Sequence, residues 1–394
     1  MRRTAMLWEV FVSRFEEAFE QYEKHRLSGE EAGELLGMSG RNFRRLCVRY
    51  YEEDGIEGLR DRRLGKVSPR RAPAGELARM QGLYRECYGD FTVKHFHEQL
   101  VKRHGYKLCY TVTKASLQAA GLVAKARRRG AHRKRRERRP LPGMLLFQDG
   151  STHRWLAALG HDLDLVVTLD DATGEIYSAI LVEQEGTMSS FLGLQETIAV
   201  HGLFGSLYTD RGGHYFITRK GESKVDKKEL TQVGRALAQL GIGHIPSYSP
   251  QGRGRMERVF GTLQKRLPQE LRLAKVRTIA AANRYLKERF IADYNARFAV
   301  PAAEPGSAFV PYVGRPVEDI FCVQEDRVVG ADNCVSWRRR SLQIPPQRHR
   351  QHYVRATVRV HEYPDGSLAI FDGPRCLVRV DSKGQADNVV SRAA

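Results

Sequence analysis

Apolar positions recur at helical spacing from about Leu7 to Arg63. Within this span, LSGEEAGELLGMSGRNFRRLCVRYYEEDG predicts two short helices around a Gly37-Met38-Ser39 turn, which is helix-turn-helix spacing. In the second helix Phe43, Leu46, Cys47 and Tyr50 fall at i, i+3, i+4 and i+7 for packing. Arg41, Asn42, Arg44, Arg45 and Arg49 are left on a basic, hydrogen-bonding face. A second helical unit runs from about Gly75 to Ala124, broken at Gly105, with Lys114 on its last helix. The connecting stretch GLRDRRLGKVSPRRAPAG has no apolar periodicity and reads as a linker able to follow a phosphate backbone.

From Leu141 the pattern changes to alternating strands and helices. LLFQD, DLDLVVTLDD and EIYSAILVE read as strands, TMSSFLGLQETIAVHG as a helix and SLYTD as a further strand, which predicts a mixed α/β sheet. Helices are expected at about Lys227 to Leu240, Gly254 to Leu273 and Ile279 to Tyr294. Beyond Pro305, short strands separated by turns such as Pro364-Asp365-Gly366 predict a small β-barrel.

Charge narrows the function classes. The 394 residues carry 65 Lys+Arg against 46 Asp+Glu, a formal net charge of +19, and a polyanion such as DNA is the natural partner for such an excess. Residues 125 to 139, KARRRGAHRKRRERR, hold ten Lys or Arg and one Glu. Such a run is solvated or bound to phosphate, and because it joins two folded regions, Arg127, Arg128, Arg129, Arg133, Lys134, Arg135 and Arg136 are expected on DNA. The chain has no stretch of about 18 apolar residues and no signal-peptide pattern, so a cytoplasmic, nucleoid-associated protein with no membrane partner is expected. Six cysteines without a CxxC pair exclude a disulfide framework. The cluster Cys87, His95, His97, His104 and Cys109 fits no zinc spacing.

Three acids stand out by position. Asp149 is expected to end one strand, Asp210 to end another, and Glu257 to open the helix of SPQGRGRMERVFGTLQKRL. Ligands of open α/β sheets bind at the carboxyl ends of strands. Carboxylates gathered there repel unless hard cations such as Mg²⁺ or Mn²⁺ lie between them, and two such ions could clamp an in-line phosphoryl displacement. On the Glu257 helix, Met256, Val259, Phe260, Leu263 and Leu267 form the apolar stripe. Arg253, Arg255, Arg258 and Lys265 add charge suited to DNA. Asp170 and Asp171 read as turn residues of a hairpin, and Asp162 and Asp164 have less claim still. His153 and His214 follow the first two acids, where either could orient water or serve as a structural histidine. Trp155 reads as packing.

With these residues in place, a family resemblance becomes specific. YTDRGGHYF resembles the T-D-x-G segment, and SYSPQGRGRMERVFGTLQKRL the S-P-x6-E-R helix, of retroviral-integrase-like bacterial DDE transposases. FQDGSTHRW resembles their first-aspartate strand, and Tyr294, Asn295 and Arg297 of ADYNARF the element that ends their catalytic domain. The overall layout is most similar to insertion sequences of the ISNCY type.

The resemblance implies a multidomain α/β protein: helix-turn-helix domain 1–66, a second such or winged-helix-like domain 67–124, basic linker 125–140, RNase H-like catalytic domain 141–305 and small β-barrel 306–394. It also implies two Mg²⁺ or Mn²⁺ ions held by Asp149, Asp210 and Glu257, cleavage at an element's end and joining of its 3′-hydroxyl to target DNA. The partners would be double-stranded terminal repeats and target, bound by a homo-oligomer, a dimer or larger. A DNA-binding regulator or a metal-dependent nuclease derived from the same ancestor is the alternative. The 46 residues between Asp210 and Glu257 exceed the family's usual spacing, and the excess is placed in the polar loop FITRKGESKVDKKELTQ.

Overall fold

The computed structural model describes residues 2–53, 55–61, 71–125, 136–219, 221, 223–226, 228–347, 350–383 and 386–387. The chain folds as two compact units, Met1–Arg79 and Met80–Ala394. Among the described residues no helix is long and apolar enough to cross a membrane. Arg127, Arg128, Arg129, Arg133, Lys134 and Arg135 lie outside the described residues.

The first unit holds α1 (Arg2–Glu23), α2 (Gly29–Leu35) and α3 (Gly40–Glu52). Ser28 and Glu31 form a reciprocal capping box at the start of α2, and Ser39 caps α3. The turn between them needs glycine twice: Gly37 has φ +66°, and a Cβ on Gly33 would lie 2.8 Å from the Met38 carbonyl. Phe15, Phe19, Phe43, Leu46 and Cys47 form the core. Arg41, Arg44 and Arg45 of α3 are exposed as the periodicity predicts, although Arg44 is paired with Glu30 at 3.0 Å and Arg45 with Asn42 at 2.8 Å. Arg49 turns back to the Arg60 carbonyl, at 2.5 Å.

The second unit begins with most of α4 (Ala74–Cys87), then α5 (Val93–His104) and α6 (Tyr110–Ala119), which carries Lys114 on its exposed side. A five-stranded mixed sheet follows, in the order β3-β2-β1-β4-β5. Its strands are β1 (Leu146–His153), β2 (Leu163–Asp170), β3 (Ile176–Val182), β4 (Ser206–Thr209) and β5 (Gly243–Pro246). The first three are antiparallel neighbours, and β4 and β5 run parallel to β1. Helix α7 (Thr187–His201) crosses from β3 to β4 and α8 (Gln232–Gln239) from β4 to β5. On the sheet's opposite face lie α9 (Pro250–Leu263), α10 (Leu267–Leu273), α11 (Ile279–Tyr285) and α12 (Ile291–Phe298).

Helices α5 and α6 belong to the same compact unit as this sheet. His95 of α5 meets Glu270 of α10 at 2.8 Å, and Glu98 accepts from Arg266 and Arg297 at 2.8 and 2.9 Å. His95 is therefore a packed, paired residue rather than a zinc ligand, and Cys87 and Cys109 are exposed thiols.

Three expectations need correcting. The helix expected from Gly254 to Leu273 starts earlier, at Pro250, and is two helices, because Pro268 lies in the first turn of α10 and cannot continue α9. Lys265 thus falls beyond the end of α9, in the turn before α10, and is exposed. Strand β1 runs on to His153, since its pairing with β2 continues through His153↔Leu163, so Asp149 lies in mid-strand opposite Val167.

At the C-terminus, β6 (Val323–Val328), β9 (Thr357–Glu362), β10 (Leu368–Asp372), β11 (Arg375–Val380) and β12 (Ala386–Asp387) form one antiparallel sheet, and β7 (Cys334–Trp337) and β8 (Arg340–Gln343) a hairpin. Both pack on a core containing Val335, Trp337, Tyr353, Val360 and Ile370. Among the described residues the strand pairing does not close a ring, so the arrangement is two sheets around a shared core where a barrel was expected. Arg235 of α8 donates to the carbonyls of Ile320 and Cys322, which fixes this sheet to the α/β core.

Candidate active site

Asp149 is drawn inward by the strand that carries it. Its neighbours Phe147 and Gln148 are fully packed, and Asp149 itself is only 7% exposed. On the opposite face of β1, Gln148 donates to Thr168 at 3.2 Å and to the Ser190 carbonyl at 3.1 Å, and accepts from the Tyr215 hydroxyl at 3.1 Å. A satisfied buried network of this kind holds a strand rigidly. It fixes the backbone from which Asp149 projects.

Asp210 follows β4, parallel to and beside β1. Its Oδ1 accepts from the Gly212 amide at 2.8 Å, a local turn that fixes the carboxylate. Glu257 is the eighth residue of α9, exposed and well past the first turn, so it does not serve as an acid offsetting the helix dipole. Helix α9 is begun by Ser249, which accepts from Gly252, and by Pro250. Its Met256, Val259, Phe260 and Leu263 are buried in the core beneath the sheet. That burial fixes the rotation of the helix and hence the face bearing Arg253 and Glu257, one turn apart.

Arg253 pairs with the most buried of these acids. Its Nη2 donates to both oxygens of Asp149, at 2.8 and 2.7 Å, and it lies in the fields of Asp149, Asp210 and Glu257. Burial pushes the Asp149 carboxyl up to about 6; Arg253 opposes the shift, and Asp210 and Glu185 add to it. Among the described residues no three acid, histidine or cysteine side chains form a ready-made metal cage. The donor set nevertheless fits a hard divalent cation. The groups are carboxylate oxygens, Asp149 is repelled by Asp210 and Glu185, and a cationic guanidinium already bridges the oxygens of Asp149.

Glu185, just after β3, was not anticipated from the sequence. Its carboxylate lies against Gly150, where an added Cβ would sit 2.0 Å from Oε2, and its Oε1 is 3.5 Å from His214 Nε2. No local motif marks it; the sheet order brings it beside Asp149. His214 thus faces an acid, whereas His153 stacks edge-on with Trp155 at 5.1 Å. Trp155 is fully buried and donates to the Ser151 carbonyl at 2.8 Å, a packing residue as expected.

Arg255 and Arg258 occupy another part of the α9 surface. Arg255 donates to the fully buried Asp171 at 2.6 Å and to the Arg136 carbonyl at 3.0 Å, and Arg136 also pairs with Asp171. Asp170 accepts from the Gly143 and Thr173 amides at 3.0 and 2.7 Å. Both aspartates are therefore occupied in holding the β2–β3 turn, as read from the sequence.

No model of a known protein family matches the chain. A Sinorhizobium fredii protein carrying the transposase name y4bF is 31% identical over 363 residues, 91% of this chain and 79% of that protein. The transposase for insertion sequence IS1202 of Streptococcus pneumoniae is 34% identical over 163 residues, 41% of this chain and 34% of its own. Among solved structures, the HTLV-2 integrase catalytic core domain in complex with magnesium superimposes with a TM-score of 0.28 at 16% identity, covering 38% of this chain and 88% of that one. The simian T-cell lymphotropic virus intasome with PP2A regulatory subunit B56 gamma gives 0.31 at 15% identity, covering 73% and 93%. Likenesses of that size fix no residue correspondence.

Proposed function

Because this chain belongs to the transposases, we propose that it is one of the DDE type, that Asp149, Asp210 and Glu257 are its catalytic acids and that it cleaves and joins DNA at the ends of an insertion sequence. The observation that supports the assignment is the pairing of the buried Asp149 with Arg253, with Asp210 following the adjacent parallel strand β4 and Glu257 one helical turn beyond Arg253 on α9. The strand order and directions of the sheet also suit the RNase H-like arrangement that the sequence motifs imply.

Mg²⁺ or Mn²⁺, two ions held by these carboxylates, would supply Lewis-acid activation of the attacking oxygen and charge stabilisation at phosphorus. The chain's own residues do the rest. Asp149 and Asp210 present oxygens from adjacent strands, and Glu257 closes the site from the exposed side of α9. With Asp149 holding a cation, Arg253 would be available for a phosphate oxygen, which guanidinium binds in bidentate geometry. Glu185 and His214 lie where they can position water beside Asp149.

The α2-turn-α3 unit, with Arg41, Asn42, Arg44, Arg45 and Arg49, is assigned to terminal-repeat recognition. Lys114 and the 125–139 segment are assigned to the DNA backbone. A reaction that joins two ends to a target needs more than one duplex gripped at once, which calls for a dimer or larger on DNA. The test is strand transfer of a labelled element end with Mg²⁺ or Mn²⁺, comparing wild type with Asp149→Ala, Asp210→Ala and Glu257→Gln. The three variants are expected to bind the end and join nothing. Joining by any of them removes that residue from the catalytic set, and cleavage without joining by the wild type makes the chain a nuclease.

A further inference from the structure

Beside the acids, on a different face of α9 from Glu257, lies a cavity of about 320 Å³. Arg136, Arg138, Arg255 and Arg258 line it, Tyr294 and Phe298 contribute aromatic rings, and no acid is among its lining residues. Asp171 lies behind the wall, paired with two of the lining arginines. It is fully buried and shared by Arg136, by Arg255 and by the Arg139 amide at 2.8 Å. Arg138 is held by the Asp171 and Ala172 carbonyls at 3.1 and 3.0 Å, which orient it without neutralising it. Arg258 has no carboxylate partner among the described residues and is exposed. One buried negative charge thus faces four guanidinium groups, and the cavity calls for an anion.

Its shape says more. A duplex phosphate is met by exposed basic side chains on an open surface, whereas this cavity is recessed between α9 and α12. The Tyr294 and Phe298 rings are 4.7 Å apart, and Phe298 is 38% exposed. Guanidinium forks and an accessible aromatic ring in one recess match a phosphate joined to a planar base. The volume lies at the small end of ligand pockets, too small for a base pair with its backbones. Arg255 and Arg258 flank Glu257 in sequence, so the cavity is about one helix diameter, roughly 10 Å, from the catalytic face. At about 3.4 Å of rise per nucleotide, that is a reach of two to three nucleotides along the strand.

We propose that this cavity holds a single unpaired nucleotide of the DNA strand entering the catalytic site, its phosphate against Arg255 and Arg258 and its base against Phe298. The assignment rests on the transposase reading for the identity of the polymer. It adds to that reading a requirement that the strand be locally unpaired two to three nucleotides from the reacting phosphate.

The test compares the full chain binding a blunt duplex with the same duplex carrying a five-nucleotide 5′ overhang with 2-aminopurine at each overhang position in turn. Wild type is expected to prefer the overhang about tenfold, within the range for stacking one base, with the fluorescence change confined to one or two positions. Arg258→Ala and Phe298→Ala are expected to lose the preference and the fluorescence change, and Phe298→Tyr to retain both. Circular dichroism melts check that each variant is folded. An unchanged preference in both alanine variants overturns the proposal. So does equal weakening of both duplexes by Arg258→Ala with no effect of Phe298→Ala, which would leave only a backbone contact. Asp149→Asn, assayed in parallel for Mg²⁺-dependent joining, separates the two readings. Overhang preference kept while joining is lost supports both, whereas joining retained by Asp149→Asn defeats the catalytic assignment and leaves the pocket result standing by itself.

Discussion

Asp149 shows how the site holds charge. Its carboxyl, raised by burial to about 6 from the ordinary 3.8, keeps its proton in the folded chain over a pH range where the unfolded chain has already released it. The folded state therefore binds more protons between about pH 4 and 6, and stability falls as pH rises through that window. Arg253 limits the loss by pairing with the ionised form. Arg253→Ala is expected to lower the unfolding temperature more at pH 8 than at pH 5, and Asp149→Asn in the same background to recover most of the difference. Equal effects at both pH values would show that the pair carries no charge-dependent stability. At this scale the sequence was informative where motifs are local: T-D-x-G around Asp210 and the Ser-Pro start of the Glu257 helix could be read directly. Glu185 could not, because it comes beside Gly150 only through the ordering of β1, β2 and β3. The bridging role of Arg253 was equally hidden, since an arginine four residues before a glutamate on a helix has many uses.

The element that best explains its own sequence is β3. As the edge strand of the sheet it presents unpaired backbone groups, and two asparagines from the covering helices satisfy them. Asn283 of α11 accepts from the Leu181 amide at 2.7 Å and donates to its carbonyl at 2.9 Å, and Asn295 of α12 does the same to Ile176 at 2.8 and 2.9 Å. Each asparagine thus takes the place of a missing neighbouring strand. Asn283→Ala and Asn295→Ala are each expected to cost about 1–3 kcal/mol in denaturant unfolding, the range for buried groups left unsatisfied. Their effects should be close to additive because the two clamps are separated along the strand. The double variant should also aggregate more readily through the exposed edge. Asn295 was visible in the sequence as part of the Tyr294-Asn295-Arg297 element, but its backbone-pairing role was not, since the partner lies 119 residues away. The α9–α10 break was legible in Pro268 and was overridden by an apolar stripe that continued to Leu267. The short β5, GHIP, has too few residues to announce itself by alternation.

Across the whole molecule, charge and texture were the most legible features. The change from helical periodicity to alternating strands near Leu141 falls within a few residues of β1, and the net charge of +19 agrees with a protein assigned to DNA. The second helical group was less legible as to its allegiance: it joins the α/β unit through pairs such as His95–Glu270, which no sequence spacing encodes. Replacing Arg127, Arg128, Arg129, Arg133, Lys134 and Arg135 by serine is expected to flatten the salt dependence of DNA binding by about 0.9 in log-log slope for each phosphate no longer neutralised. Metal-dependent chemistry on a preformed end should be retained at low salt. An unchanged slope would mean that the segment does not lie on DNA.

Asp149, Asp210 and Glu257 are proposed to form a divalent-metal site together. The most direct test is calorimetric titration of Mn²⁺ into the chain bound to a DNA end whose terminal 3′-hydroxyl has been removed, so that binding is read without joining. Wild type is expected to bind Mn²⁺, and Asp149→Asn, Asp210→Asn and Glu257→Gln to lose that binding with DNA affinity unchanged. Mn²⁺ binding equal to wild type in all three variants would contradict it.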